Sequence, residues 1–225
     1  MEKESPEEAL EKVKLEKIEE ERLNEVFRIL DYSGKEKANT SQTSKISPND
    51  IMRLMNDMMK KINHRLSESK NETKEDEKEP EQFKIQIKKS ESQLMVWEVD
   101  DDADGLVSKD EFIKMYKRCK SDENGLEPRK LFNLVYFLMF KPEYTGFVTE
   151  EDTLQLLFVR YKRDHLDDEI DAIFGTEIKY PGSSDNFVER EISYPEYIKK
   201  VNERAMNERR RRKKKEKGKE KKRKE

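Results

Sequence analysis

The sequence predicts an all-α fold. Two observations carry that expectation: apolar residues recur at helical spacing in block after block, and strand signals are short and isolated. A third sets its scale. Only 32% of the 225 residues are hydrophobic and 44% are charged, so a modest core must serve folded blocks separated by solvated or disordered stretches.

Ser5-Pro6-Glu7-Glu8 reads as a helix start, with Ser5 as N-cap, Pro6 at the first helical position and Glu8 completing a capping box. Leu10, Val13, Ile18, Leu23, Val26, Phe27 and Leu30 extend that helix to about Leu30. Asp31-Tyr32-Ser33-Gly34 and the polar run to Pro48 break the pattern. Ile51, Leu54, Met55, Met58, Met59 and Ile62 then mark a second amphipathic helix. Ser67 to Gln82 has no apolar residue and is expected to be a disordered or loosely helical insertion.

Leu94, Met95, Val96, Trp97 and Val99 run into the acidic stretch DDDADGLVSKDE, and Phe112, Ile113, Met115 and Tyr116 resume the helical spacing beyond it. Leu131 to Phe140 is the most apolar segment of the chain, and Leu154 to Tyr161 forms another, with KPEYTGFVTEED between them. Leu166, Ile170, Ile173 and Phe174, then Tyr197, Ile198 and Val201, flank a last polar stretch containing Pro181-Gly182.

The net charge of −3 conceals an asymmetry. Residues 209–225 carry 13 Lys or Arg and 3 Glu, a balance of +10, which leaves −13 on residues 1–208. The basic tail suits a polyanion: the acidic tails of tubulin, anionic lipid or nucleic acid. A nuclear-localisation patch and a merely solubilising terminus are the other readings. No aromatic residue is interleaved with these charges, which weighs against stacking on single-stranded nucleic acid.

No run of about 18 apolar residues is present, so a membrane-spanning helix is not expected. The acidic start MEKESPEE lacks the apolar stretch of a signal peptide, and Cys119 is the only cysteine; both point to an intracellular, reducing setting. Lys117, Arg118 and Lys120 make the surroundings of Cys119 electropositive, which favours thiolate, although a bystander cysteine is the commoner case. His64 and His165 have no second ligand at zinc spacing. No glycine-rich phosphate loop, nucleophile elbow or His–Cys pair is present, so catalysis is not expected.

The acidic stretch has the chemistry of a calcium loop. A twelve-residue loop supplies hard oxygen ligands from positions 1, 3, 5, 7, 9 and 12. Counted from Asp100, these are Asp100, Asp102, Asp104, the backbone carbonyl of Leu106, Ser108 and Glu111. Gly105 stands at position 6, where the chain must turn sharply, and Val107 at the inward-facing position 8. Without a cation, the three aspartates would repel one another at short range. Magnesium is the alternative occupant at rest.

This stretch resembles the EF-hand, and the resemblance extends to three degenerate partners. KPEYTGFVTEED keeps Gly146, Val148 and Thr149 at positions 6, 8 and 9, but has Lys141 at position 1, Thr145 at 5 and Asp152 at 12. It is therefore expected not to bind calcium. Ile46-Ser47 with Asp50, and Ile192-Ser193 with Glu196, resemble positions 8, 9 and 12 of two swollen loops, Asp31 to Asp50 and Gly175 to Glu196. The whole is similar to a calmodulin or troponin-C order of four hands in two pairs, one regular and three degenerate. It divides into an N-terminal helical extension (1–22), a first pair (23–120) with the insertion at 67–82, a second pair (121–204) and a basic tail (205–225).

Within that superfamily, residues 97–175 look most like calmodulin-like subunits of ciliary axonemes, such as those of outer-dynein-arm docking complexes. GLEPRKLFNLVYFLMF and LQLLFVRYKRDHLDDEIDAIFG carry this likeness. It implies a cytoskeletal setting on microtubule doublets and a calcium-linked role in motility. The expected function is a one-calcium adaptor or assembly subunit that holds a helical segment or coiled coil of a protein partner. The alternatives are a calcium-independent structural clamp and a nuclear or nucleic-acid-associated protein. Met52, Met55, Met58 and Met59 are either plain core or an adaptable groove for the partner helix.

Overall fold

The computed structural model describes residues 6–31, 44–72, 87–122, 124–141, 143–175 and 190–222. Ser5, most of the charged insertion and the interiors of the two swollen loops lie outside the described residues. In chain order the helices are α1 (Pro6–Leu30), α2 (Pro48–Glu72), α3 (Lys89–Trp97), α4 (Lys109–Ser121), α5 (Lys130–Phe140), α6 (Glu150–Tyr161), α7 (Leu166–Phe174) and α8 (Tyr194–Lys222). A 3₁₀ turn, Arg163–His165, joins α6 to α7. The expected helices are all present, and the fold is mostly helical. α2 extends beyond its last buried apolar residue, Ile62, as far as Glu72, so the start of the charged insertion is helical.

Short strands lie just ahead of four of these helices. β1 (Lys45–Ile46) pairs antiparallel with β2 (Val107–Ser108), Lys45 opposite Ser108 and Ile46 opposite Val107. β3 (Phe147–Thr149) pairs antiparallel with β4 (Glu191–Ser193), Val148 opposite Ile192. The four apolar residues facing one another across these ribbons are all buried. Burying a side chain of this kind stabilises by about 1.5–3 kcal/mol, which fixes the register of ribbons too short to hold themselves together.

The helices that follow the strands share one starting device. Ser47 donates its N–H and its hydroxyl to Asp50 Oδ2 at 2.9 and 2.6 Å, opening α2. Ser108 does the same to Glu111 Oε2 at 2.8 and 2.7 Å, opening α4. Thr149 donates its N–H to Asp152 at 2.9 Å ahead of α6, and Ser193 its N–H and hydroxyl to Glu196 at 2.9 and 2.5 Å ahead of α8. Each is a capping arrangement in which a carboxylate satisfies the backbone donor just before the helix.

One hydrophobic cluster runs through both halves of the molecule. α5 is its centre: every residue from Leu131 to Phe140 is buried except Asn133. A helix apolar all round is the one that belongs inside. Tyr116, Phe132, Tyr136 and Phe140 follow one another at 5.0–5.8 Å between ring centroids, and Phe137 packs on Tyr194 and Tyr197 at 5.1 and 5.3 Å. α1 packs on α2 and α4 and also on α5 and α6, so it spans the two halves. It docks from Glu19 onward, whose buried carboxylate accepts the Tyr116 hydroxyl at 2.7 Å and pairs with Lys120.

Met55, Met58 and Met59 are buried in this core and Met52 is partly covered, so the methionines of α2 serve as packing. The last part of α8 that carries the basic tail is helical to Lys222, and the side chains of residues 202–214 are exposed. No described helix is long and apolar enough to cross a membrane.

Candidate metal centre

The acidic loop sits between α3 and α4 and is held at its exit by the β1–β2 ribbon. Gly105 has φ +80°, and Ala103, two residues earlier, has φ +59°. These left-handed positions curl the chain back on itself, and only at Gly105 is the residue free of a Cβ that resents it.

The curl brings three side chains together. One carboxylate oxygen from each of Asp100, Asp102 and Asp104 lies within 4.8 Å of the others. Backbone donors of the loop fix their orientation. Asp104 N–H is shared between Asp100 Oδ1 and Asp102 Oδ1 at 3.1 Å each, Gly105 N–H reaches Asp100 Oδ2 at 2.8 Å, and Leu106 N–H reaches Asp104 Oδ1 at 2.9 Å. Like charges at about 4 Å repel by about 1 kcal/mol in water and by more where water is partly excluded.

Glu111 closes the loop. Its Oε1 accepts the Asp101 N–H at 2.8 Å, so the carboxylate spans from the exit of the loop to its entrance. Burial raises its pKa, but hydrogen bonds from Ser108 and the backbone N–H groups of Asp101 and Asp102 outweigh this and hold it ionised below its ordinary range. Ser108 spends its hydroxyl on the cap of α4, where it accepts Glu111 N–H at 3.3 Å while donating to Glu111 Oε2. Of the six residues expected as ligands, the three aspartates converge and Glu111 reaches the loop entrance. Leu106 follows the glycine turn, where its carbonyl is the candidate donor, and Ser108 stands at the edge as a capping group.

Cations surround the centre without filling it. Lys114 pairs with Asp101, and Arg118 lies 3.8 Å from the same carboxylate, so this aspartate, which is outside the ligand set, has its own counter-charges. Lys114 holds Asp101 below the usual carboxylate range. Lys45, from β1, pairs with Asp104 and depresses its pKa in turn. Sequence reasoning missed Lys45, because the contact is made across a ribbon between residues 59 apart.

The other loops are arranged differently. In the third, Lys141 donates to Asp152 Oδ2 at 3.1 Å, so the ammonium at position 1 neutralises the carboxylate at position 12. Burial pushes Asp152 up, but the Thr149 N–H and Lys141 outweigh it and leave the carboxyl below its usual range. In the fourth, Arg190 donates to Glu150, Asp171 and the Gly175 carbonyl at 2.6, 2.9 and 2.7 Å. Cys119 is buried, and burial pushes its thiol up to about 11, against the thiolate that its basic sequence neighbours favour. Among the described residues, the only cluster with metal-ligand spacing is Asp100, Asp102 and Asp104.

Residues 81–119 match the family model for an EF-hand domain pair. No curated protein matches the chain. The match covers 39 of the 225 residues and spans α3, the acidic loop and most of α4, which supports a place for this segment in the EF-hand superfamily.

Proposed function

We propose that the protein is a calcium-responsive adaptor that takes up one ion at Asp100 to Glu111. The observation that carries this reading is the convergence of the Asp100, Asp102 and Asp104 carboxylates on a left-handed glycine turn, inside the segment that matches the EF-hand model. Oxygens of these three, the Leu106 carbonyl and Glu111 would hold the ion, with Ser108 at the rim. Magnesium is the competing occupant at rest, because carboxylate oxygens serve both ions and differ mainly in the geometry they permit.

The two strand pairings and the four matching helix caps support a count of four helix–loop–helix units in two pairs, of which, among the described residues, the second is the one that brings a ligand set together. The internal cations Lys141 and Arg190 favour a fixed second half, so the response to calcium belongs to the first. We read the molecule as a binding protein with no catalytic role. The exposed basic helix at the end of α8 supports a polyanionic partner, and the resemblance of residues 97–175 to axonemal subunits favours the acidic tails of tubulin and a ciliary setting.

Trp97 provides the test. It is 75% exposed and stands three residues before Asp100. Its fluorescence, or the heat of titration, should change saturably at micromolar free calcium, and Glu111→Gln should abolish the change. A response confined to millimolar calcium would replace the adaptor with a structural subunit that clamps a partner helix, and no uptake at all would overturn the calcium reading.

A further inference from the structure

Lys45 belongs to the first loop, yet its side chain works on the second. It lies opposite Ser108 in the β1–β2 ribbon, so its ammonium extends over the acidic turn and pairs with Asp104 Oδ2. The other oxygen, Oδ1, accepts the Leu106 N–H at 2.9 Å. A cation that draws on the Asp104 carboxylate therefore meets the Lys45 ammonium on the same group.

We propose that Lys45 is a tethered competitor for the cation of the second loop, which must withdraw before the ion is fully coordinated and so links the first loop to occupancy of the second. This rests on the calcium reading above. The pair is partly shielded, with side-chain exposures of 25% for Lys45 and 34% for Asp104, so the attraction is stronger than that of a freely solvated pair. Asp102 and Glu111 attract the same ammonium at longer range.

The remaining cations nearby do not compete in this way. Lys114 and Arg118 sit on Asp101, which is not a ligand. The cations of the third and fourth loops are placed differently: Lys141 meets Asp152 within its own loop, and Arg190 is held by three acceptors at once. Lys45 pairs with the Asp104 carboxylate and has a flexible four-carbon stem, so it can retreat.

Calcium titrations of the full chain test the idea, read by Trp97 fluorescence and by calorimetry, with circular dichroism to verify folding. Lys45→Met should tighten calcium binding by about five- to thirty-fold at low salt, since it removes a unit charge that repels the divalent ion at short range. The gain should shrink as salt is added. Lys45→Arg keeps the charge and should stay near the wild type. Unchanged or weaker binding by Lys45→Met, with wild-type uptake intact, would overturn the competitor role and leave the calcium reading standing. Failure of the wild type itself to take up calcium would overturn both.

Discussion

Gly105 and Gly146 share a backbone conformation and differ in what surrounds them. Both have positive φ, +80° and +90°. A Cβ on Gly105 would meet nothing within 4 Å, whereas one on Gly146 would lie 2.5 Å from Ile62 Cγ1 and 3.0 Å from Met58 Cγ. Gly105→Ala should therefore cost only the conformational term, about 1–2 kcal/mol, and Gly146→Ala should cost about 2–4 kcal/mol because α2 must also shift. Urea unfolding of the two variants measures the difference, and the expected order is the reverse of what the ligand sets alone would suggest. At this scale the acidic loop was legible in the sequence, because ligand spacing and the turn glycine are local properties. Lys45 was not legible, since its partner Asp104 lies 59 residues away and is brought to it by the pairing of two strands.

Among the elements, the helices were readable because an amphipathic or wholly apolar stripe persists for three or more turns. α5 is the extreme case, and its continuous apolar run matches its central burial. The strands were not readable as strands. Two or three residues cannot display an alternating pattern, and their pairing depends on loops that bring them together. Arg190, immediately before β4, shows how much such a junction depends on one side chain. It joins the start of α6 through Glu150, the end of α7 through Asp171 and Gly175, and receives the Glu150 N–H on its own carbonyl at 2.9 Å. Arg190→Ala should destabilise the protein by about 1–3 kcal/mol and raise amide exchange in β3 and β4 ahead of α3 and α4, as hydrogen-exchange mass spectrometry would show.

Across the whole molecule, the continuous cluster makes a thermodynamic claim. α1 packs on helices of both halves, and the third loop seats directly on α2. Heat should therefore unfold the chain in one cooperative transition, with calorimetric and van't Hoff enthalpies in agreement, and calcium should move the entire transition upward. Two separated transitions, with calcium shifting only the lower, would show that the halves are independent. Sequence could mark two pairs of units but not their union, because the residues that join them, Ile62 to Gly146 and Arg65 to Glu191, carry no local signature.

α2 gives the union a direction. Its first turn is anchored beside β1 by Ser47 and Asp50, and its further turns reach the second half, where Arg65 meets Glu191 at 2.7 Å and lies over the Phe147 ring. From Ser47 to Arg65 such a rod is about 27 Å long at 1.5 Å per residue, so a tilt of about ten degrees at the near end sweeps the far end through about 5 Å. α2 thus has the geometry of a lever, in which a short displacement beside β1 corresponds to a longer one at the β3–β4 ribbon, and Arg65 is where its far end meets that ribbon.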